Sequence, residues 1–270
     1  MPELPEVETT RRGVAPHLVG RRVSAVAVRE GRLRWPVPPD LDPCLRGQRL
    51  EAVERRAKYL LFRFPAGTLL VHLGMSGSLR VVPAGSPPGP HDHVDLAFGE
   101  RVLRLRDPRR FGSLHWVTGD VAAYPLLARL GPEPLAEGFT PEHLRARARD
   151  RRVSAKALLM DGRVVVGVGN IYANESLFRA GIRPTRRSDR LTRADCERLT
   201  AAVKAVLTEA IACGGTTLRD FVREDGQPGY FRIALEAYGR GGEPCPRCGT
   251  AMRAVRVGQR ATVYCPHCQR

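Results

Sequence analysis

Four of the seven cysteines in this 270-residue chain fall in two pairs, Cys245-Pro-Arg-Cys248 and Cys265-Pro-His-Cys268, and no other feature restricts local folding as tightly. Sixteen residues separate the pairs. Each pair can sit on a tight knuckle, so that four thiolates converge at about 2.3 Å on one tetrahedral zinc ion, the spacing of a zinc ribbon. With every position taken by protein, such a metal has no open site and serves structure rather than catalysis. Two disulfides are the alternative; an odd cysteine count and a reducing setting speak against them. Arg253, Arg256 and Arg260 lie between the knuckles, where a hairpin is expected. Arg260 is then either a solvated turn residue or a phosphate ligand presented by the finger.

The charge balance points to a polyanionic partner. Lys and Arg number 44 against 28 Asp and Glu, a formal net charge of +16, and the pI is about 10.5, the range of nucleic-acid-binding proteins. Only three of the basic residues are lysine: Lys58, Lys156 and Lys204. Arginine is used wherever charge alone suffices, so Lys58 and Lys156 hint at positions that need a compact, titratable ammonium. Lys204 lies among Val203, Val206 and Leu207 on the polar edge of an expected helix. No stretch approaches the roughly 20 apolar residues needed to span a bilayer. Glu3, Glu6 and Glu8 stand where a signal peptide would carry basic and then apolar residues, so a cytoplasmic protein is expected.

The hydrophobic pattern changes period along the chain. Leu4, Val7, Val14 and Leu18 follow helical spacing up to Gly20. From about residue 22 to 118 the pattern is one of strands: Val23–Val28, Tyr59–Phe64, Leu69–Leu73, Leu79–Val82, Val94–Phe98, Val102–Arg106 and Leu114–Val117. Leu103 and Leu105 alternate with Arg104 and Arg106, as on a strand with one buried and one wet face. Short strands between Gly- and Pro-bearing turns suggest a sandwich or barrel. Gly131-Pro132-Glu133-Pro134 reads as a linker, after which helical periods cover Pro141–Arg152, Ala155–Met160, Ile171–Ala180 and Ala194–Cys213. Thr192 with Asp195 has the form of an acidic capping box for the last. The expected fold class is α+β and multidomain. Residues 1–130 are expected to form a sandwich or barrel with an N-terminal helix, 135–235 a helical body, and 236–270 the finger.

Several segments carry chemistry. If Met1 is removed, Pro2 presents a secondary α-amine, and terminal amines titrate at roughly 7.7–8.0. Such an amine attacks a sugar aldehyde carbon covalently, and its adduct is an iminium that holds positive charge without a proton. Glu3 beside it supplies a proton-transfer group. The plainer reading is that Pro2 opens a helix whose dipole suits acidic neighbours. Val165–Tyr172 (VVGVGNIY) is a glycine-rich turn into a helix, suited to backbone contact with phosphate or merely joining two helices. Arg145, Arg149, Arg152 and Lys156, beside Arg147 and Arg151, follow near-helical spacing, either a solvated face or a phosphate-tracking stripe. Asp107-Pro-Arg-Arg-Phe-Gly112 joins cations to an aromatic at a turn. Phe111 is a core residue or a wedge for a base stack.

Taken together, the Pro2–Glu8 start, Arg56-Ala57-Lys58-Tyr59, His72–Gly77, His91-Asp92-His93, Asp107–Gly112, Gly167–Tyr172 and the four-cysteine finger resemble the formamidopyrimidine-DNA glycosylase family from Pro2 to Arg270. The resemblance implies a β-sandwich, a helix–two-turns–helix domain and a zinc finger with one structural Zn2+. It implies a bifunctional repair enzyme that removes oxidised purines from double-stranded DNA, as a monomer. By position, Pro2 matches the nucleophile, Glu3 the acid at the sugar, Lys58 the proton donor for β-elimination, and Arg260 the finger arginine that supports δ-elimination. Met75, Arg109 and Phe111 match the trio that fills the gap left by an extruded base. His91, Arg109 and Arg151 match DNA-contacting positions, Asn170 and Lys156 phosphate contacts, and Gly214–Phe231, with Gly226 and Gly229, the loop that closes over the damaged base.

Two other functions compete. An endonuclease VIII-like relative would act on oxidised pyrimidines, against which the Met75, Arg109 and Phe111 set and the Asp107–Gly112 motif speak. A non-catalytic zinc-ribbon DNA-binding protein would share the charge, Asn170 and the finger, but would not need Pro2, Glu3 and Lys58 together.

Overall fold

The computed structural model describes residues 2–214 and 235–270. The expected closing loop, apart from Gly214, therefore lies outside the described residues, as does Met1. The chain divides into two compact units, one built on residues 1–128 and the other on 129–213 with the C-terminal segment. Among the described residues no helix is long and apolar enough to cross a membrane.

The first unit begins with α1 (Leu4–Leu18), capped by a reciprocal Glu3/Glu6 box and carrying Pro5 in its first turn, where a missing N–H costs nothing. Eight strands follow: β1 (Ala25–Val28), β2 (Ala52–Arg56), β3 (Tyr59–Phe64), β4 (Gly67–His72), β5 (Ser78–Pro83), β6 (Asp92–Phe98), β7 (Arg101–Arg106) and β8 (Ser113–Val117), with the short α2 (Leu41–Leu45) after β1. They form two four-stranded antiparallel sheets, β1-β6-β7-β5 and β2-β3-β4-β8. Leu60 faces Val71, and Phe62 faces Leu69, across β3 and β4. Those side chains join Leu96, Phe98, Leu103 and Leu105 of the other sheet, and Val7, Val14 and Leu18 of α1, in one core. Period-2 alternation delivers both inner faces to the same interior.

Three features differ from the sequence expectation. Strand β2 has a single apolar core residue, Val53, so its pattern was too weak to read; it is an edge strand defined by pairing with β3. Arg104 is not on a wet face but only 6% exposed. Its guanidinium donates to both carboxylate oxygens of Asp95, at 2.9 and 2.8 Å, and to the carbonyls of Ser86 and Pro87. A buried cation stays charged when a carboxylate and two carbonyls take four of its five N–H donors this way. Third, the basic residues at 145–156 do not form one stripe. Helix α3 (Pro141–Arg149) stops before Arg152, and α4 (Ala155–Met160) starts afresh with Lys156 buried.

The second unit adds α5 (Asn170–Ala180) and α6 (Arg193–Ala212), packed with α3 and α4 around Leu144, Leu158, Tyr172, Leu177, Leu199 and Val203. Both legs of the Thr192/Asp195 capping box are made. The 131–134 segment is not loose: Gly131 N–H donates to Gly162 O at 2.8 Å, and Val166 N–H to Pro132 O at 3.1 Å. The chain ends in a two-stranded hairpin, β9 (Arg253–Val257) and β10 (Arg260–Tyr264). Gly258 and Gln259 turn it with φ of +54° and +61°, the signature of a two-residue type I′ turn.

Candidate active site and nucleic-acid interface

Pro2 is buried at the head of α1. Glu3 and Glu6 are 1% and 3% exposed, and Glu3 N–H donates to the Glu6 carboxylate at 2.8 Å. Capping and burial therefore hold the residue beside Pro2 in one place. One turn on, Glu8 accepts from Arg11, Arg12 and Arg55. Burial alone would raise its pKa, but the hydrogen bonds from Arg11 and Arg12 and the charge of Arg55 outweigh this and hold it at about 2. Arg55 in turn donates to the carbonyl of Ala57 at 2.9 Å, and Ala57 precedes Lys58 in the β2–β3 turn. An unbroken chain of contacts thus runs from α1 to the lysine turn.

The sign of that pKa shift fixes a prediction. A carboxyl depressed in the folded state contributes stability above its unfolded pKa, and the contribution fades as pH falls from about 4.5 towards 2. Glu8→Gln should cost about 1–2 kcal/mol at pH 7, after discounting for solvent screening, in urea unfolding of the protein. The gap to wild type should narrow below about pH 4.5 and close only as pH falls through about 2. A gap independent of pH would show that packing, not charge, is the contribution.

His72 ends β4, with its ring 4.8 Å from that of Tyr59. Burial, and then the nearby charges of Lys58 and Arg34, push its pKa down to about 4. It is therefore neutral at physiological pH, with Nδ1 accepting from Gly74 N–H at 3.0 Å. An ionisable ring beside Lys58 thus adds no second positive charge.

Met75 and Phe111 are 38% and 40% exposed, among the few large apolar side chains left at the surface. The core reading of Phe111 is thereby excluded. Arg109 lies over the Phe111 ring at 4.8 Å, a cation–π stack that stiffens both. A cavity of about 560 Å³ beside them is lined by Arg32, Leu33, Arg34, Arg109, Arg110 and Phe111. The two loops that carry Met75 and Phe111 touch closely. A Cβ on Gly74 would lie 2.4 Å from the Phe111 backbone, and Gly74 has φ of +62°, so only glycine fits.

Backbone strain marks the same places. Among the described residues the non-glycine positions with positive φ are Ala57, His91, Arg110 and Gln259, at +55°, +71°, +56° and +61°. Ala57 precedes Lys58, His91 is itself a predicted DNA contact, Arg110 sits between Arg109 and Phe111, and Gln259 precedes Arg260. Strain of this kind costs about 1–3 kcal/mol per residue and clusters at functional sites.

In the second unit the predicted contacts have different surroundings. Asn170 is the first residue of α5, and its amide oxygen is buried with no hydrogen-bond partner among the described residues. Arg151 is half-buried and pairs with Asp161 at 2.6 Å. Lys156 is only 1% exposed; its ammonium donates to Ala261 O at 2.8 Å and to Thr262 Oγ1 at 2.7 Å. It thus fastens α4 to the finger strand that starts at Arg260, which is exposed at the hairpin turn. Two neighbours on α5 that sequence reading did not single out perform similar tasks. Asn174 accepts from Val263 N–H at 2.9 Å, and Glu175 accepts from the backbone N–H groups of Glu236, Ala237 and Tyr238 at 2.9, 3.0 and 2.7 Å.

The four finger cysteines place their sulfurs within 4.8 Å of one another. Cys245 to Cys268 is 4.0 Å and Cys248 to Cys265 is 3.5 Å. A tetrahedron with zinc–sulfur bonds of 2.3 Å has edges of about 3.8 Å, whereas a disulfide needs about 2.05 Å. The donor set fits one structural zinc held by Cys245, Cys248, Cys265 and Cys268.

Comparison with known proteins agrees with this architecture. The family model for the formamidopyrimidine-DNA glycosylase N-terminal domain matches residues 1–114, that for its H2TH domain 130–222, and that for the zinc finger found in FPG and IleRS 242–270. The formamidopyrimidine-DNA glycosylase of Alkalilimnicola ehrlichii is 61% identical over 277 residues, covering 100% of both chains. That of Methylococcus capsulatus is 58% identical over 271 residues with the same coverage. Among solved structures, the Thermus thermophilus FPG protein superposes with a TM-score of 0.88 at 42% identity over 99% of this chain and 98% of its own. A Lactococcus lactis FPG mutant in complex with Fapy-dG-containing DNA gives 0.93 at 32% identity over 100% of each. With all three family models matched and relatives aligned end to end, the chain belongs to the formamidopyrimidine-DNA glycosylase family.

Proposed function

We propose that this protein is a base-excision-repair DNA glycosylase and abasic-site lyase, removing 8-oxoguanine and formamidopyrimidines from double-stranded DNA in the cytoplasm. A β-sandwich over 1–130 carries the chemistry, and a helix–two-turns–helix body over 135–235 and a finger over 236–270 hold the DNA. The observation that supports this best is the joint presence, in a chain that aligns with its family relatives over their whole length, of a buried Pro2 beside the capping carboxylate Glu3 and a surface set of Met75, Arg109 and Phe111.

Chemistry on a base in a duplex requires its extrusion, at a cost of a few kcal/mol. Met75, Arg109 and Phe111 offset part of that cost by filling the gap. His91, Arg109, Arg151, Lys156 and Asn170 supply contacts along the DNA. The Pro2 nitrogen attacks C1′ of the sugar, and the glycosidic electrons leave with the base while Glu3 handles the proton at the sugar. The adduct becomes an iminium, which acidifies C2′. Loss of the C2′ proton expels the 3′ phosphate with Lys58 as proton donor. A second elimination, supported by Arg260, expels the 5′ phosphate and leaves a one-nucleotide gap. Zinc, when bound, supplies no chemistry to these steps and only holds the hairpin that presents Arg260.

The test is borohydride trapping on a duplex with one 8-oxoguanine opposite cytosine, followed by peptide mapping. A covalent adduct on Pro2, with Met1 absent from the mapped peptide, is the expected result. Tight, salt-sensitive binding with no adduct would replace this reading with that of a non-catalytic DNA-binding protein. An adduct formed efficiently with an oxidised pyrimidine but not with 8-oxoguanine would reassign the substrate class.

A further inference from the structure

Asp107 begins the turn that carries Arg109 and Phe111, and it is completely buried. A carboxylate removed from water must be matched by donors, and its donors here come from both loops of the interface. One oxygen accepts from the Ser76 hydroxyl at 2.8 Å, the residue after Met75. The other accepts from Gly112 N–H at 2.7 Å, the residue after Phe111. The Ser76 oxygen accepts in turn from Arg109 N–H at 3.2 Å. The backbone of Asp107 extends the same node: its N–H donates to the His91 carbonyl at 3.0 Å, and its carbonyl accepts from Arg110 N–H at 3.1 Å and from the His93 ring at 2.8 Å. A single side chain is therefore bonded next to Met75 and next to Phe111, and through Ser76 to Arg109 itself. Its main chain holds two of the strained residues, His91 and Arg110.

We infer that Asp107, acting through Ser76 and Gly112, is a positioning residue that locks Met75, Arg109 and Phe111 into a preformed wedge for the base stack. It touches neither the base nor the sugar. The physical argument concerns exposed apolar side chains on two separate loops. Unlocked, they would lose conformational entropy at the moment of insertion; locked beforehand, they do not. The carboxylate suits the task because it has two oxygens for two donors on opposite loops, each bond charge-assisted. The inference rests on the glycosylase reading above and adds the group that organises its stack-opening step.

The two substrates that separate insertion from chemistry supply the test. Excision from a duplex with 8-oxoguanine needs the wedge; borohydride trapping on a single-stranded abasic oligonucleotide needs only Pro2 and its neighbours. Asp107→Ala should slow duplex excision by at least ~30-fold, with trapping on the single strand changed by less than ~3-fold. A 2-aminopurine next to the lesion should lose the fluorescence rise that reports unstacking. Asp107→Asn should recover most of the loss, because its amide oxygen still accepts from Gly112 and the Ser76 hydroxyl can rotate to accept from the amide. Ser76→Ala, which removes one leg without emptying the node, should show the same split at about 5-fold, so the inference stands or falls even if Asp107→Ala fails to fold. Equal losses on both substrates in Ser76→Ala would overturn it, as would undiminished duplex excision by a folded Asp107→Ala. Failure of the wild type itself to excise 8-oxoguanine would instead strike the glycosylase reading.

Discussion

Replacing Pro2 with glycine is expected to lower both excision of 8-oxoguanine and borohydride trapping by at least ~100-fold, the largest single effect open to a one-residue change in this protein. A glycine amine is primary, so its adduct with C1′ is an imine that must capture a proton before it withdraws electrons. The proline adduct carries that charge from the outset. Glycine also removes a buried ring that precedes the Glu3 cap of α1. None of the groups proposed to contact DNA changes, so affinity for a duplex containing a non-reactive abasic analogue should stay within ~3-fold of wild type at matched salt. Excision and trapping at the wild-type rate by this variant would remove Pro2 from the mechanism. A parallel collapse of binding would indicate that the ring organises the fold rather than the reaction.

Loss of zinc is the second large effect. The core under the finger is small: Phe178 of α5 and Ala237 with Cys245, Met252, Val263 and Cys265, two of them zinc ligands. A core of that size does not hold a hairpin by itself, and binding of structural zinc is coupled to about 10–16 kcal/mol of folding free energy. Chelation, or Cys248→Ser, should therefore release amide-exchange protection across β9 and β10, and with it the bonds from Lys156, Asn174 and Glu175 to the finger. Helix α6 should keep its protection, because it packs into a separate core. DNA affinity should fall at least ~10-fold as Arg260 loses its platform. A verified zinc-free protein that binds damaged duplex undiminished would show that the finger is dispensable for affinity.

Much of the protein is legible along one dimension because its signals are local. Cys-x-x-Cys pairs, the Thr192/Asp195 cap, helical spacing in α1 and α6, and the short apolar runs of β3 and β4 need only a few consecutive residues to declare themselves. The segments proposed to carry the chemistry are equally local, since Pro2 and Glu3 are neighbours, and Arg109 and Phe111 share one turn with Asp107. Sequence alone therefore determined the family, the order of its parts, the metal and the candidate residues.

What tertiary structure decided is which charges are spent inside the fold and which remain at the surface. Arg104 looks solvent-facing by alternation, yet Asp95 and two loop carbonyls draw it inside. Lys156 looks like one more cation in a stripe, yet its ammonium is bonded to a strand 105 residues away. Asp107 looks like an ordinary turn residue until Ser76, 31 positions earlier, and Gly112 are found on its two oxygens. Hydrophobic and capping patterns report on a residue's neighbours in the chain. Compensation of a buried charge depends on partners far away in sequence, and only the folded chain brings those within hydrogen-bonding distance.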